Sequence, residues 1–173
     1  MPAQYQPLPD GRLHLQHGPI DIVIGGEGET EALTAAHAAA WQRFETILPE
    51  LVSELHDLRH PIGETCTLKG EVAQRMWHAC YPFRHTYITP MAAVAGAVAQ
   101  ALLPAYQRAG IRRAWINNGG DIALHLAPDA SVRVGLYANL AHLDTQQLQE
   151  GLRLDGSFDI HHNSTVRGVA TSG

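Results

Sequence analysis

The chain has 173 residues, of which 45% are hydrophobic and 17% charged, with a formal net charge of −5. That length suits one domain able to bury roughly 70% of its unfolded surface, and with only 6% aromatics the core has to be built from Ala, Val, Leu and Ile. A single lysine, Lys69, and the acidic balance argue against a basic face for nucleic acid, and no apolar run is long enough to span a membrane.

The stretch from Met1 to Asp10 is polar and Pro-rich, without an apolar targeting core, so a soluble cytoplasmic protein is expected. Leu13 and Leu15 alternate with polar residues, as do Ile20, Ile22 and Ile24 after His17-Gly18-Pro19, which predicts an opening β-hairpin. From Thr30 the apolar positions Leu33, Ala40, Trp41, Phe44, Ile47 and Leu48 follow helical spacing. They predict a long helix, kinked or restarted at Pro49 and running to about Arg59. A loop over 60–67 and a shorter helix with Val72, Met76, Ala79 and Cys80 on one face come next. Cys66 and Cys80 read as reduced thiols.

The next predicted helix, from Pro90 to about Ala109, starts almost wholly with small apolar residues, which buries it on several sides. Thr89 stands at its N-cap and Pro90 at its first turn, where a missing N–H costs nothing. Gly110 closes it. A strand at Ala114-Trp115-Ile116 then turns through Asn117-Asn118-Gly119-Gly120 and resumes from Asp121 to Leu126. Val132, Val134 and Leu136 alternate again, as do Leu152 and Leu154, and Val166 to Ala170 forms a closing strand. Strands flanking helices predict an α+β class, a largely antiparallel sheet backed by helices on one face.

Three segments can carry chemistry. Around Thr89, Pro90, Met91, Ala92 and Gly96, a helix start with small side chains offers free N–H groups to a phosphate or carboxylate; the same residues also suit a helix lying close on a sheet. Asn117, Asn118, Gly119, Gly120 and Asp121 gather amide donors and one carboxylate at a strand end, although Asn-Gly is also the plain signature of a hairpin. Thr171 and Ser172, with Gly173, offer hydroxyls to a carbonyl or phosphate, or cap a turn. Glu64, in the 60–67 loop, is an acid–base candidate or, preferably, a cap for the following helix. The 11 histidines form no HExxH, HxH or Cys-His pair at zinc spacing, so a structural zinc is not expected and the metal is left open.

Taken together, Thr89 to Ala97, Asn118 to Asp121 and Gly168 to Gly173 resemble, in order, the ApbE-like family and its UPF0280 branch, as does the Pro61-Ile62-Gly63-Glu64 loop. The resemblance spans roughly Leu13 to Gly173 and implies a T-fold-like sheet backed by helices. The better-known relatives bind FAD and transfer FMN to a threonine of a partner protein, with Mg2+ on the pyrophosphate. Carried over, Asn118, Gly119, Gly120, Asp121, Thr171, Ser172 and Gly173 would line a flavin or nucleotide site. Two departures stand out. Val94-Ala95-Gly96 replaces the transferases' Lys-Gly step, and the metal-binding Asp and Thr that they carry beyond the Thr-Ser-Gly motif have no counterpart here.

The expectation is a single ApbE-like domain over 1–173 that lacks, or is separated from, a C-terminal segment. An unpaired sheet edge then favours a homo-oligomer or a C-terminal companion chain. Three functional readings follow. One is an ApbE-like enzyme or flavin-nucleotide-binding protein with a small-molecule ligand and a protein acceptor. Another is a flavin-independent amide hydrolase, with Asp121 or Glu64 as acid–base and the Gly119 and Gly120 amides as oxyanion donors, or with a nucleophile freed by cleavage after Gly173. The third is a non-catalytic ligand-binding module.

Overall fold

In the computed structural model, which describes residues 2–136 and 156–171, the apolar alternation at the start of the chain becomes the hairpin β2 (Leu13–His17) and β3 (Ile20–Gly28). Leu13, Leu15, Ile20, Ile22 and Ile24 all point into the core. Each such side chain contributes about 1.5–3 kcal/mol relative to exposure. Strand β1 (Gln4–Pro7) pairs outside β2. It is exposed throughout, so it left no periodicity to read. On the inner side β3 pairs with β4 (Ile111–Asn118), β4 with β5 (Asp121–Leu126), and β5 with the two-residue β8 (Gly168–Val169). The sheet order is therefore β1-β2-β3-β4-β5-β8, antiparallel at every pairing described.

The helices cover one face of this sheet. Helix α1 (Thr30–Ser53) buries Ala36, Ala40, Phe44, Ile47 and Leu51, a stripe at spacings of three and four. It passes through Pro49 unbroken. The interruption comes at Glu54, where φ is −114°, before the short α2 (Leu55–Leu58). The Glu54 carboxylate accepts the amides of Lys69 at 2.6 Å and Gly70 at 2.7 Å. Glu50 accepts Val72 N–H at 3.2 Å, so Glu50 of α1 and Glu54 just past its end cap the start of α3 (Glu71–Cys80). Glu64, the sequence candidate for that cap, lies instead beside Tyr81 and Arg84.

The small-residue helix is shorter than its composition suggests. Pro90–Ala93 is a 3-10 turn, α4 runs from Val94 to Leu102, and a second 3-10 turn covers Leu103–Tyr106. Pro104 has no N–H to continue the helical ladder, which ends α4 well before Gly110. Gly110 itself sits at φ +83° in the turn into β4. Helices α1, α3 and α4 pack on Ile22, Ile24, Ala114, Ile116 and Ala123 in one core.

The other face of β4 and β5 carries Trp115, Ile122 and Leu124, which pack with Ile160, Val132 and Val134 of a separate hairpin, β6 (Ser131–Leu136) with β7 (Gly156–His161). Strand β7 was not anticipated, since its burial pattern is mostly exposed. Leu152, Leu154, Ser172 and Gly173 lie outside the described residues. Among the described residues no helix is long and apolar enough to cross a membrane, and Cys66 and Cys80 are both free thiols.

Candidate functional site

The Asn117 to Asp121 segment is first of all a two-residue hairpin turn. Asn118 pairs with Asp121 across the strands, and Gly119 and Gly120 take φ of +61° and +102° between them. Positive φ at both central positions is what a type I′ turn requires. The asparagines, however, do more than allow the turn. Asn117 Oδ1 accepts the Gly120 amide at 2.9 Å, and Asn118, buried, donates from Nδ2 to the Ala95 carbonyl of α4 at 3.1 Å. The turn is thereby tied to the small-residue helix.

That tie fixes Asp121. In β5 Ala123 belongs to the helix-side core, whereas Leu124 packs on the opposite face. Strand alternation therefore sets Asp121 on the helix side with Ala123. There it meets α4 at its narrowest point, and a methyl group placed on Gly96 would stand 3.6 Å from Asp121 Oδ2. A Cβ on Gly120 would collide with Thr171 Oγ1. Glycine at 120 lets the last described residue approach the turn.

Between α3, α4, β5 and β8 lies a cleft of about 510 Å³, within the range of small-ligand sites. Its floor is Ala79, Ala92, Ala93, Gly96 and Ala97, and its polar groups come from Asp121, Gln100, Arg75 and Arg167. The two arginines differ. Arg167 donates to the backbone carbonyls of Ser164 at 2.5 Å, Val166 at 2.8 Å and also His162, so its guanidinium is spent holding the turn before β8. Arg75 donates one N–H to Glu71 at 3.1 Å, while its Nη1 is buried without a hydrogen-bond partner among the described residues. A buried guanidinium nitrogen left unpaired is costly unless something fills its place.

Of the residues expected from sequence, Ala92, Gly96 and Asp121 line this cleft. Thr171 adjoins it through Gly120. Asn117, Asn118, Gly119 and Gly120 hold Asp121 in place without lining it. Thr89 sits at the N-cap position with its side chain making no cap bond, and its carbonyl accepts the Ala92 amide. Pro90 lines a different, smaller cleft, and Met91 packs against the core. Glu64 is exposed and is not among the lining residues. Arg75, Ala79, Gln100 and Arg167 were missed. Arg75 and Ala79 share a helix face at i and i+4, but nothing in a single sequence says that the face meets Asp121.

The arrangement limits the chemistry. The Gly120 amide is engaged by Asn117, so the paired oxyanion donors of the hydrolase reading are reduced by one. Burial pushes the Cys80 thiol up from its ordinary pKa, which leaves no thiolate nucleophile there at neutral pH. A carboxylate, an arginine with one nitrogen unpaired among the described residues and a floor of small apolar side chains remain.

Residues 5–173 match the model of a family described as AbpE bacteria. Among curated proteins the chain is similar to several described as UPF0280 protein. That of Methanoregula boonei is 45% identical over 111 residues, covering 62% of this chain and 45% of the relative. Those of Methanosphaerula palustris and Methanospirillum hungatei are 49% and 40% identical over 85 residues, each covering 49% of this chain. The chain thus matches less than half the length of these relatives.

Proposed function

This chain belongs to the AbpE bacteria family, and from that premise and the chemistry of its cleft we propose that it binds a flavin nucleotide between α3, α4 and β5. The observation that carries the reading is that Asp121 and Arg75, whose Nη1 has no hydrogen-bond partner among the described residues, line one cleft over a floor of alanines and Gly96. A planar ring system lies best on small side chains, and a phosphate is the natural partner for a guanidinium N–H with none of its own.

Magnesium suits the same place. It is commonly held by one or two carboxylates together with substrate phosphates, and Asp121 is the acidic side chain lining the cleft. When bound, the ion would neutralise pyrophosphate charge. Asp121 would hold it, Arg75 would pair with phosphate oxygens, and the Asn117 and Asn118 bonds would keep Asp121 in register. Transfer of FMN to a protein threonine is the extension of this reading. It lacks support at one point, because Val94 stands where the transferases present lysine, so binding rather than transfer is the conclusion.

Titration of the protein with FAD, with and without magnesium, followed by flavin fluorescence, tests it. Saturable binding should weaken at least about tenfold, roughly 1.4 kcal/mol, in Asp121→Ala and in Arg75→Ala. No binding of FAD or FMN at high micromolar concentration overturns the proposal.

A further inference from the structure

A second constellation lies outside this cleft. His56 and Asp57 stand on α2, and His60 follows one turn later, two residues past its end. All three are exposed, and one side-chain donor atom from each lies within 4.8 Å of the others. The imidazole rings of His56 and His60 are 4.5 Å apart between centroids. Ligand atoms bound at about 2.0–2.2 Å to one zinc ion sit roughly 3–4 Å from each other. Small side-chain rotations at the surface close that difference.

The segment is held for such a role. Arg59 N–H donates to the Leu55 carbonyl at 3.2 Å and His60 N–H to that of Asp57 at 3.1 Å, so the backbone carrying all three side chains is fixed. Leu58 is fully buried beneath it, and beyond it Ile62 N–H donates to the Ile88 carbonyl at 2.9 Å. The ring of His60 is also oriented. Its Nδ1 lies 2.8 Å from the His56 carbonyl, which only accepts, so Nδ1 is the donor there and Nε2 is the nitrogen left to face a metal ion. Histidine ligands of metals commonly donate their second ring nitrogen to a carbonyl in this way. Asp57 and His60 further line a cleft of about 200 Å³ with Gly63, Thr65 and Thr67, which leaves room for water at the remaining coordination positions.

The geometry points to a binding site for one divalent first-row transition ion on His56, Asp57 and His60, for which zinc is the redox-inert probe. Two imidazole nitrogens and one carboxylate favour such an ion over magnesium or calcium, which take oxygen ligands. Three protein ligands leave the coordination open to solvent. The inference does not depend on what occupies the Asp121 cleft.

Isothermal titration of the full chain with zinc chloride decides it, with thermal melting as the second readout. The expected result is one ion per chain, a melting temperature raised by zinc, and little competition from excess magnesium. His56→Ala and His60→Ala should each weaken binding at least about tenfold, since loss of an outer-shell partner alone costs that much in metal sites. His78→Ala, an exposed histidine on α3, should bind as the parent does. All three histidines are exposed, so the variants fold, and the unliganded melting temperatures verify it. Equal affinity in parent and His60→Ala overturns the site, as does the absence of saturable binding at about 100 μM free zinc.

Discussion

Asn118 shows how a polar residue in a buried place is used. Its side chain sits in the helix-facing core because the period of β4 puts Ala114, Ile116 and Asn118 on one side, and its cost there is offset by the bond to the Ala95 carbonyl. Asn118→Ala should therefore lower stability by about 1–2 kcal/mol in urea denaturation, the range for a lost buried hydrogen bond. It should also weaken flavin binding, since Asp121 is its strand partner. A variant that loses neither would mean that the turn holds itself. Glycines divide in the same way by what surrounds them. At Gly28 a Cβ would run into the Gly110 carbonyl, which is backbone and cannot swing aside, whereas at Gly96 the nearest neighbour is Asp121 at 3.6 Å. Gly28→Ala should be clearly destabilising. Gly96→Ala should raise stability by about 0.5–1 kcal/mol, as alanine does inside helices, while its methyl fills the cleft and reduces FAD affinity. That opposite movement of stability and binding separates a ligand seat from mere packing.

Elements fold here with help from neighbours that local sequence does not name. Helix α3 has Gly70 at its N-cap, which offers no capping side chain, and is capped across the fold by Glu50 and Glu54. Removing those acceptors by Glu54→Ala frees two amides, and the expected loss is about 1–2 kcal/mol by chemical denaturation. Glu54→Gln, which keeps one acceptor oxygen, should recover part of it. The same reasoning explains what was legible beforehand. The β2–β3 hairpin, α1 and the β4–β5 turn follow from periodicity and turn chemistry, which are local, and the three motif segments led to Ala92, Gly96 and Asp121. Long-range caps, the exposed strands β1 and β7, and Arg75 are set by tertiary partners tens of residues away. The α4 ending is an intermediate case, since Pro104 was visible in the sequence and the run of alanines before it outweighed it. His56 and His60 were visible too, at the same spacing of four as the histidines of HExxH, but with Asp57 where that motif has Glu.

At the scale of the molecule the helix layer is stitched by a partly buried polar pair between α1 and the segment leading into β4. His37 Nδ1 lies 2.7 Å from the hydroxyl of Tyr106, which is fully buried. Burial holds the His37 pKa below its ordinary 6.5 and pushes the Tyr106 hydroxyl up, so both groups are neutral in the folded protein at pH 7. The unfolded chain takes up a proton on His37 as the pH falls through about 6.5, and the folded chain resists until lower pH. The stability from a neutral His37 is thus fully present above pH 6.5 and is lost as the pH drops through the depressed folded value. One such group tilts stability by at most about 1.4 kcal/mol per pH unit. His37→Gln retains a hydrogen-bonding side chain and cannot titrate, so its melting temperature should fall less steeply between pH 7 and pH 5 than that of the parent protein. The two proteins share the other ten histidines, so only the difference between the two profiles belongs to His37. Parallel profiles would place the acid sensitivity in those others and leave the His37–Tyr106 pair a hydrogen bond without a pH dependence of its own.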